Sequence, residues 1–147
     1  MKEILFKAKR KDNGEWVSGG TIVQFLDNGI RSFYMPQFNE KCDCTHDDAT
    51  DDILGFENCR FYKVNPDTIC RYTGYKNKIG ALIWENDVIQ YDIYFGIVVF
   101  NEGAFEIKWI DNSYNLREDI YFWATERNLA VVGNKFDNPE LLEELAE

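Results

Sequence analysis

The amino-acid sequence predicts a mainly β protein with a minor α-helical part. Short runs that alternate apolar and polar side chains are separated by turn pairs such as Asn13-Gly14, which tolerate positive φ. β-Branched and aromatic residues, which favour strands, are frequent, and aromatics alone make up 16% of the chain. A helix start, Asn138 followed by Pro139, lies near the carboxyl end.

The amino-terminal part, predicted as residues 1–66, is expected to hold two β-hairpins and an inserted loop. The first hairpin bends at the Asn-Gly turn, and the second pairs 21–26 with 30–35 across an Asp-Asn-Gly turn. Pro36 is expected to end the returning strand. Residues 37–56 keep neither a period of 2 nor one of 3.6, so an exposed acidic loop is predicted there.

The carboxyl-terminal part, residues 67–147, is predicted to be a second β subdomain that ends in a helix. The predicted strands are 88–95, 98–101, 104–109 and 129–132, with 120–124 an aromatic-rich segment of uncertain type. The helix after Asn138 has only about two turns, and isolated helices below roughly 12 residues are marginal. It must therefore dock on the sheet or on a neighbouring subunit.

The chain is strongly acidic, with 26 Asp and Glu against 16 Lys and Arg and a formal charge of -10. The negative electrostatic field of such a chain repels the phosphate backbone of nucleic acids, so nucleic-acid binding is disfavoured unless a local basic patch opposes it. Charges interrupt the apolar runs at the amino terminus, and no stretch approaches the roughly 20 apolar residues of a membrane span. We expect a cytoplasmic protein that does not bind membranes and whose four cysteines are free thiols.

Four separated segments together resemble the YopX family of phage and prophage proteins. The segments are Phe-Lys-Ala-Lys-Arg with Asp-Asn-Gly-Glu-Trp-Val within 6–17, Tyr-Thr-Gly with Lys at 72–76, Ile-Trp-Glu-Asn-Asp-Val at 83–88, and Val-Gly-Asn-Lys-Phe-Asp-Asn-Pro-Glu-Leu-Leu at 132–142. The resemblance runs from the first strand to the last helix, excluding 37–56. It implies a phage or prophage origin, a mostly β protein with an SH3-like barrel in its second half, and self-association. It implies no catalytic residue and no cofactor.

The chain departs from the family pattern at three places near Trp84. Asn86 stands where the family usually has glycine, and asparagine is the non-glycine residue that best tolerates a left-handed backbone, so the same turn is expected. Tyr75 and the pair Ala81-Leu82 add apolar surface near Trp84. We expect that surface to form a packed contact or a subunit interface.

Cys42, Cys44 and His46 are candidate ligands of a metal ion. Two thiolates and an imidazole suit zinc, but structural zinc sites usually space ligands by two to four residues, and Cys59 or Cys70 would have to supply a fourth ligand from afar. The alternative is that Cys59 and Cys70 pack in the core, as cysteine commonly does. We favour the second interpretation, in which Cys59 and Cys70 are core residues, and expect no bound metal or other cofactor.

Catalytic residues are not predicted. His46 is the only histidine and has no serine or acid placed to form a triad, and the chain lacks a glycine-rich phosphate loop. Paired carboxylates arise by chance among so many acidic residues. We therefore do not expect an enzyme.

A basic and aromatic cluster provides the remaining binding candidates. Aromatic rings beside cations can stack the bases of single-stranded nucleic acid, although most such rings fill cores or interfaces. The candidate residues are Arg71, Tyr72, Tyr75, Lys76, Lys78 and Trp84.

The sequence thus favours a non-enzymatic phage or prophage accessory protein that self-associates and contacts an unidentified host or phage protein. Two alternatives stay open, a nucleic-acid-binding module and a metal-binding protein.

Overall fold

The computed structural model describes residues 4–37, 60–110, 116–126 and 129–145. The chain divides into two compact units, Leu5–Ile69 and Cys70–Glu147 with Met1–Ile4. The described strands are β1 Phe6–Lys9, β2 Trp16–Gly19, β3 Val23–Asp27, β4 Ile30–Gln37, β5 Arg60–Val64, β6 Cys70–Lys76, β7 Leu82–Trp84, β8 Asp87–Tyr91, β9 Tyr94–Asn101, β10 Ala104–Trp109 and β11 Ala130–Asn134. The helices are α1 Ile120–Glu126 and α2 Pro139–Leu145. The mainly β prediction is confirmed.

Both predicted hairpins are present in the unit Leu5–Ile69. β1 pairs antiparallel with β2, and Gly14 takes a φ of 73° in the turn between them. β3, β4 and β5 form a second antiparallel sheet with β4 in the middle. Ala8, Met35 and Val64, each with 0% exposure, form the core of this unit.

The prediction that Pro36 ends its strand is wrong, because β4 continues to Gln37. Pro36 pairs with Phe61 of β5, whereas the pairing of β3 with β4 stops at Tyr34 opposite Val23. At this position β4 therefore has a ladder with β5 and none with β3. A proline lacks an N–H, and it is tolerated where a strand is not paired on both sides.

The unit Cys70–Glu147 contains the larger core. Its main sheet has the order β10-β9-β8-β11, and β6 pairs with β7. Ile89 and Ile107 of the sheet are fully buried, together with Trp109 and with Trp123 of α1. Both indole N–H groups donate to the carbonyl of Arg117, at 2.8 Å and 2.6 Å. These bonds anchor the start of α1 to β10.

The predicted single strand 88–95 is wrong, because the chain reverses at Asp92 and Ile93. Tyr91 lies opposite Tyr94 in the pairing of β8 with β9, so two residues close the hairpin. Asp92 has a φ of 54°, and Ile93 is 72% exposed. The pairing places Tyr94, and not Phe95, on the face of Tyr91. The alternation runs on through the turn in the sequence because the exposed turn residue Ile93 is apolar and falls in step with Ile89 and Tyr91.

The remaining predictions for this unit concern the barrel and the helices. Among the described residues the sheets are open, so the SH3-like barrel is not confirmed. The uncertain segment 120–124 is helical and belongs to α1. The helix after Asn138 is α2, but the Asn138 side chain accepts the N–H of Asn134 at 3.2 Å and so binds the preceding strand. No described helix is long and apolar enough to cross a membrane.

Candidate functional site

The Tyr-Thr-Gly motif at 72–74 forms a bulge in β6. The strand pairs with β7 at Tyr72 and again at Lys76, with a shift of register between them. Gly74 has a φ of 88°, which strains any residue with a side chain. The Thr73 hydroxyl donates to the carbonyl of Ile83 at 2.7 Å and accepts the N–H of Tyr75 at 3.2 Å. The motif therefore fixes the backbone on which its flanking tyrosines stand.

A groove of about 500 Å³ lies between this bulge, the β9–β10 turn and the start of α1. We call it the tyrosine groove. Its lining includes Tyr72, Tyr75, Ala104, Phe105, Asp119 and Tyr121. The rings of Tyr75 and Tyr121 meet edge to face with centroids 6.0 Å apart, and Tyr121 is 59% exposed. The groove thus presents several aromatic rings and one carboxylate.

Asp119 supplies that carboxylate. One oxygen accepts the N–H of Phe122 at 3.2 Å in the first turn of α1, and the other accepts Nε of Arg117 at 2.9 Å. The side chains of Arg117 and Asp119 are 62% and 46% exposed, so the pair is worth only about 0 to 1 kcal/mol. The carboxylate remains accessible to a ligand in the groove.

Arg71, predicted as a binding residue, is held by its own unit. Its Nε and Nη2 reach the two carboxylate oxygens of Glu85 at 3.1 Å and 3.0 Å, and these hydrogen bonds raise the pKa of Arg71. The guanidinium also lies 3.8 Å from the ring centroid of Phe100 and 5.6 Å from that of Phe105. Its charge is therefore paired and stacked within the unit, which weakens its case as a contact for phosphate.

The turn at 77–80, which we call the isoleucine turn, is fixed by Asn77. The Asn77 side-chain oxygen accepts the N–H groups of Ile79 at 3.1 Å and Ala81 at 2.9 Å. Its amide donates to the carbonyl of Leu129 at 3.0 Å, and the residue is only 6% exposed. Ile79 is nevertheless 89% exposed at the tip of this clamped turn.

A second groove of about 380 Å³ runs beside the isoleucine turn, and we call it the apolar groove. It is lined by Asn77, Lys78, Ile79, Ala81 and by 129–131 at the start of β11. Val132, next along β11, is 38% exposed. An exposed isoleucine thus stands on the wall of an apolar depression.

The structure divides the predicted binding residues between different surfaces. Tyr72 and Tyr75 share the tyrosine groove, and Trp84, only 8% exposed, packs beside Tyr72 with ring centroids 5.5 Å apart. Lys76 is exposed at the end of β6, whereas Lys78 lines the apolar groove. The expected basic and aromatic cluster is not assembled as one site.

The predicted metal ligands Cys42, Cys44 and His46 lie outside the described residues, as do Cys59 and positions 38–56 of the predicted loop. Cys70 is a free thiol with 1% exposure, and its sulfur accepts the side-chain amide of Asn86 at 3.6 Å. Among the residues that the structure describes, no group of three or more His, Cys, Asp or Glu side chains could hold a metal ion.

The predicted binding residues include only Tyr72 and Tyr75 of the tyrosine groove and only Lys78 of the apolar groove. Phe105, Asp119 and Tyr121 reach the tyrosine groove from distant parts of the chain, and no local pattern marks them. Ile79 carried no distinguishing signal either, because a single apolar residue on the surface is common and only its place beside the apolar groove sets it apart. Asn77 carried none beyond its preference for turns.

Comparisons with known proteins agree with this architecture. The family described as YopX protein matches residues 5–143. A crystal structure of protein EF1440 from Enterococcus faecalis is similar in fold, with a TM-score of 0.52 and 17% sequence identity over 97% of this chain and 99% of that chain. A search of the curated proteins found no match.

Proposed function

Because the chain belongs to the YopX family, we propose that it is a phage-associated accessory protein without enzymatic activity, which self-associates and acts through contacts with itself and with a host or phage protein. The observation that carries the proposal is the exposed Ile79 beside the apolar groove. Both described grooves are lined mainly by aromatic and aliphatic side chains, which suits protein contact more than acid–base chemistry.

Ile79 has the properties of a preformed interface anchor. At 89% exposure its side chain gains little from the fold of its own unit. The clamp by Asn77 holds the turn in one conformation, so little backbone entropy remains to be lost when the side chain is covered. Apolar anchors of this kind in preformed positions contribute most to association.

A two-fold dimer would use this surface completely. In such a dimer the same patch meets itself, and a residue of one copy contacts the patch that surrounds the equivalent residue in the other. Ile79 of each copy would enter the apolar groove of its partner beside Leu129 and Val131. The anchor and the groove lie next to each other, as reciprocal insertion requires.

The interaction is expected to be weak. Full burial of an isoleucine side chain is worth about 1.5 to 3 kcal/mol, and a two-fold dimer buries two of them. Association costs about 4 kcal/mol or more, so the two isoleucines alone give almost no net affinity. A dissociation constant between about 1 mM and about 1 µM requires about −4 to −8 kcal/mol, which the flanking groove surface must supply. Two copies that each carry a formal charge of -10 also repel each other.

The test is the oligomeric state of an Ile79→Asp variant, measured by light scattering coupled to size exclusion. The unmodified chain is expected to dimerise with rising concentration, and the variant to remain monomeric, because its carboxylate would have to enter the apolar groove unpaired. Ile93→Asp is the matched control, since Ile93 is also exposed, at 72%, in a turn of the same unit.

Two outcomes would contradict the proposal. The first is an unmodified chain that stays monomeric throughout the accessible concentration range. The second is an Ile93→Asp variant that loses the dimer as fully as Ile79→Asp does, since both add one charge and only one alters the proposed interface.

A further inference from the structure

We propose that the tyrosine groove binds an arginine side chain of a basic segment on a partner protein. This site is separate from the apolar groove, so the inference goes beyond the proposed self-association and does not depend on it. It rests on the aromatic lining, the placement of carboxylates, an arginine already stacked beside the same rings, and the charge of the chain.

The lining offers several ring surfaces to one ligand group. Tyr72, Tyr75, Phe105 and Tyr121 all line the groove. A guanidinium within about 6 Å of a ring centroid is attracted by the ring's electron-rich face, and it is more weakly hydrated than an ammonium. The rings that line the groove can therefore stack a planar cation, and the carboxylate beside them distinguishes it from an apolar group.

The carboxylates are placed to receive such a cation. Asp119 lines the groove, and no lysine or arginine does so among the described residues. Glu102 and Glu118 are exposed and directly precede lining residues in the sequence. Arg117 already forms an ion pair with Asp119, but that pair is exposed. An incoming arginine that bonds both carboxylate oxygens could share Asp119 with Arg117 or displace Arg117 from it.

The same aromatic cluster already holds a guanidinium from the chain itself. Arg71 stacks at 3.8 Å from the centroid of Phe100 and 5.6 Å from that of Phe105, while Glu85 binds it through two oxygens. Phe100 and Phe105 contact each other with centroids 5.0 Å apart, and Phe105 also faces the tyrosine groove. An incoming arginine would thus repeat, beside Asp119, the arrangement that Arg71 makes beside Glu85.

The net negative charge of the chain also favours a partner with a basic segment. A formal charge of -10 attracts basic segments over distances of a Debye length and repels nucleic acid. The partner's arginine should therefore lie in a positively charged stretch of protein.

The experiment titrates the full chain with a short Gly-Ser peptide that carries arginines and follows backbone amide signals by NMR. Gly74 and Gly103, which both line the groove, report on it directly. The same peptide with citrulline in place of arginine keeps the shape and removes the charge, and a lysine version keeps the charge and removes the planar fork. We expect the arginine peptide to shift both glycine signals and the citrulline peptide to bind at least about tenfold more weakly. The lysine peptide should be intermediate.

Two variants locate the site, with a matched control. Tyr121→Ala removes an exposed ring and Asp119→Asn removes the carboxylate charge, and each should weaken binding of the arginine peptide about fivefold. Asp92→Asn removes one exposed carboxylate from the β8–β9 turn, away from the groove, and should change affinity less than about twofold. The amide spectrum of each variant also shows directly whether it is folded.

Several results would overturn the inference. These are equal binding of the citrulline or lysine peptide, shifts that leave Gly74 and Gly103 unmoved, and a loss of affinity in Asp92→Asn as large as that in Asp119→Asn. A single-stranded oligonucleotide that shifts the same glycines more strongly than the arginine peptide would assign the groove to nucleic acid instead.

Discussion

Removal of the Asn77 side chain is predicted to destabilise the carboxyl-terminal unit. Asn77→Ala deletes the acceptor of the Ala81 N–H and the donor to the Leu129 carbonyl, and both groups lie in partly or fully buried surroundings. A buried group left without its hydrogen bond costs about 1 to 3 kcal/mol, so the loss for the two groups should be about 2 to 6 kcal/mol. The third bond, to the N–H of exposed Ile79, is replaceable by water.

The assay is urea unfolding followed by tryptophan fluorescence. Trp109 and Trp123 share a core with Leu129, so their emission reports on the unit that the clamp stabilises. Lys78→Ala is the control, because Lys78 is exposed on the same turn and its loss should change the unfolding free energy by less than about 0.5 kcal/mol. An Asn77→Ala variant within about 0.5 kcal/mol of the unmodified chain would refute the assignment of Asn77 as the clamp of the isoleucine turn.

Three further predictions concern packing and charge. Gly96→Ala should destabilise the sheet by about 1 to 3 kcal/mol in urea unfolding, because the new Cβ would lie 2.7 Å from a methyl group of Ile107. Arg71→Lys should cost about 1 kcal/mol by the same assay, since lysine reproduces neither the two-oxygen pairing nor the ring stacking, and equal stability would contradict that role. Hydrogen bonds from Arg10 lower the pKa of Asp12, so an NMR titration should place its midpoint below that of an ordinary aspartate, and Arg10→Gln should raise it. Because the folded pKa is lowered, the stabilisation from that pair is present above the unfolded pKa and is lost as pH falls through the folded value.

Turns set by local chemistry were predictable from the sequence. Gly14 and Asn86 both take positive φ, at 73° each, as their residue types and positions indicated. The Asn86 turn is also supported locally, because the buried Asp87 carboxylate accepts the N–H of Trp84 at 2.8 Å, three residues back along the chain. Turns of this kind depend on a few consecutive residues, so they can be predicted from the sequence alone.

Features that depend on distant residues were not predictable in the same way. The turn at Asp92 was hidden because the exposed turn residue Ile93 is apolar and falls in step with Ile89 and Tyr91. Pro36 stayed within β4 because of which strands pair on either side of it. The tyrosine groove joins Tyr75 to Tyr121 through the packing of α1 on the sheet. The family resemblance identifies the family of the chain but indicates no ligand. The binding chemistry of the groove follows only from the side chains that this packing brings together.

Sedimentation equilibrium of the unmodified chain tests the central claim, self-association through the isoleucine turn, most directly. Between about 1 and about 500 µM, the weight-average mass should rise from the chain mass of 17.3 kDa towards twice that value. The rise should be steeper at high salt, because screening reduces repulsion between two acidic copies. A weight-average mass that stays at 17.3 kDa across this range of protein concentration, at low salt and at high salt, would contradict the claim.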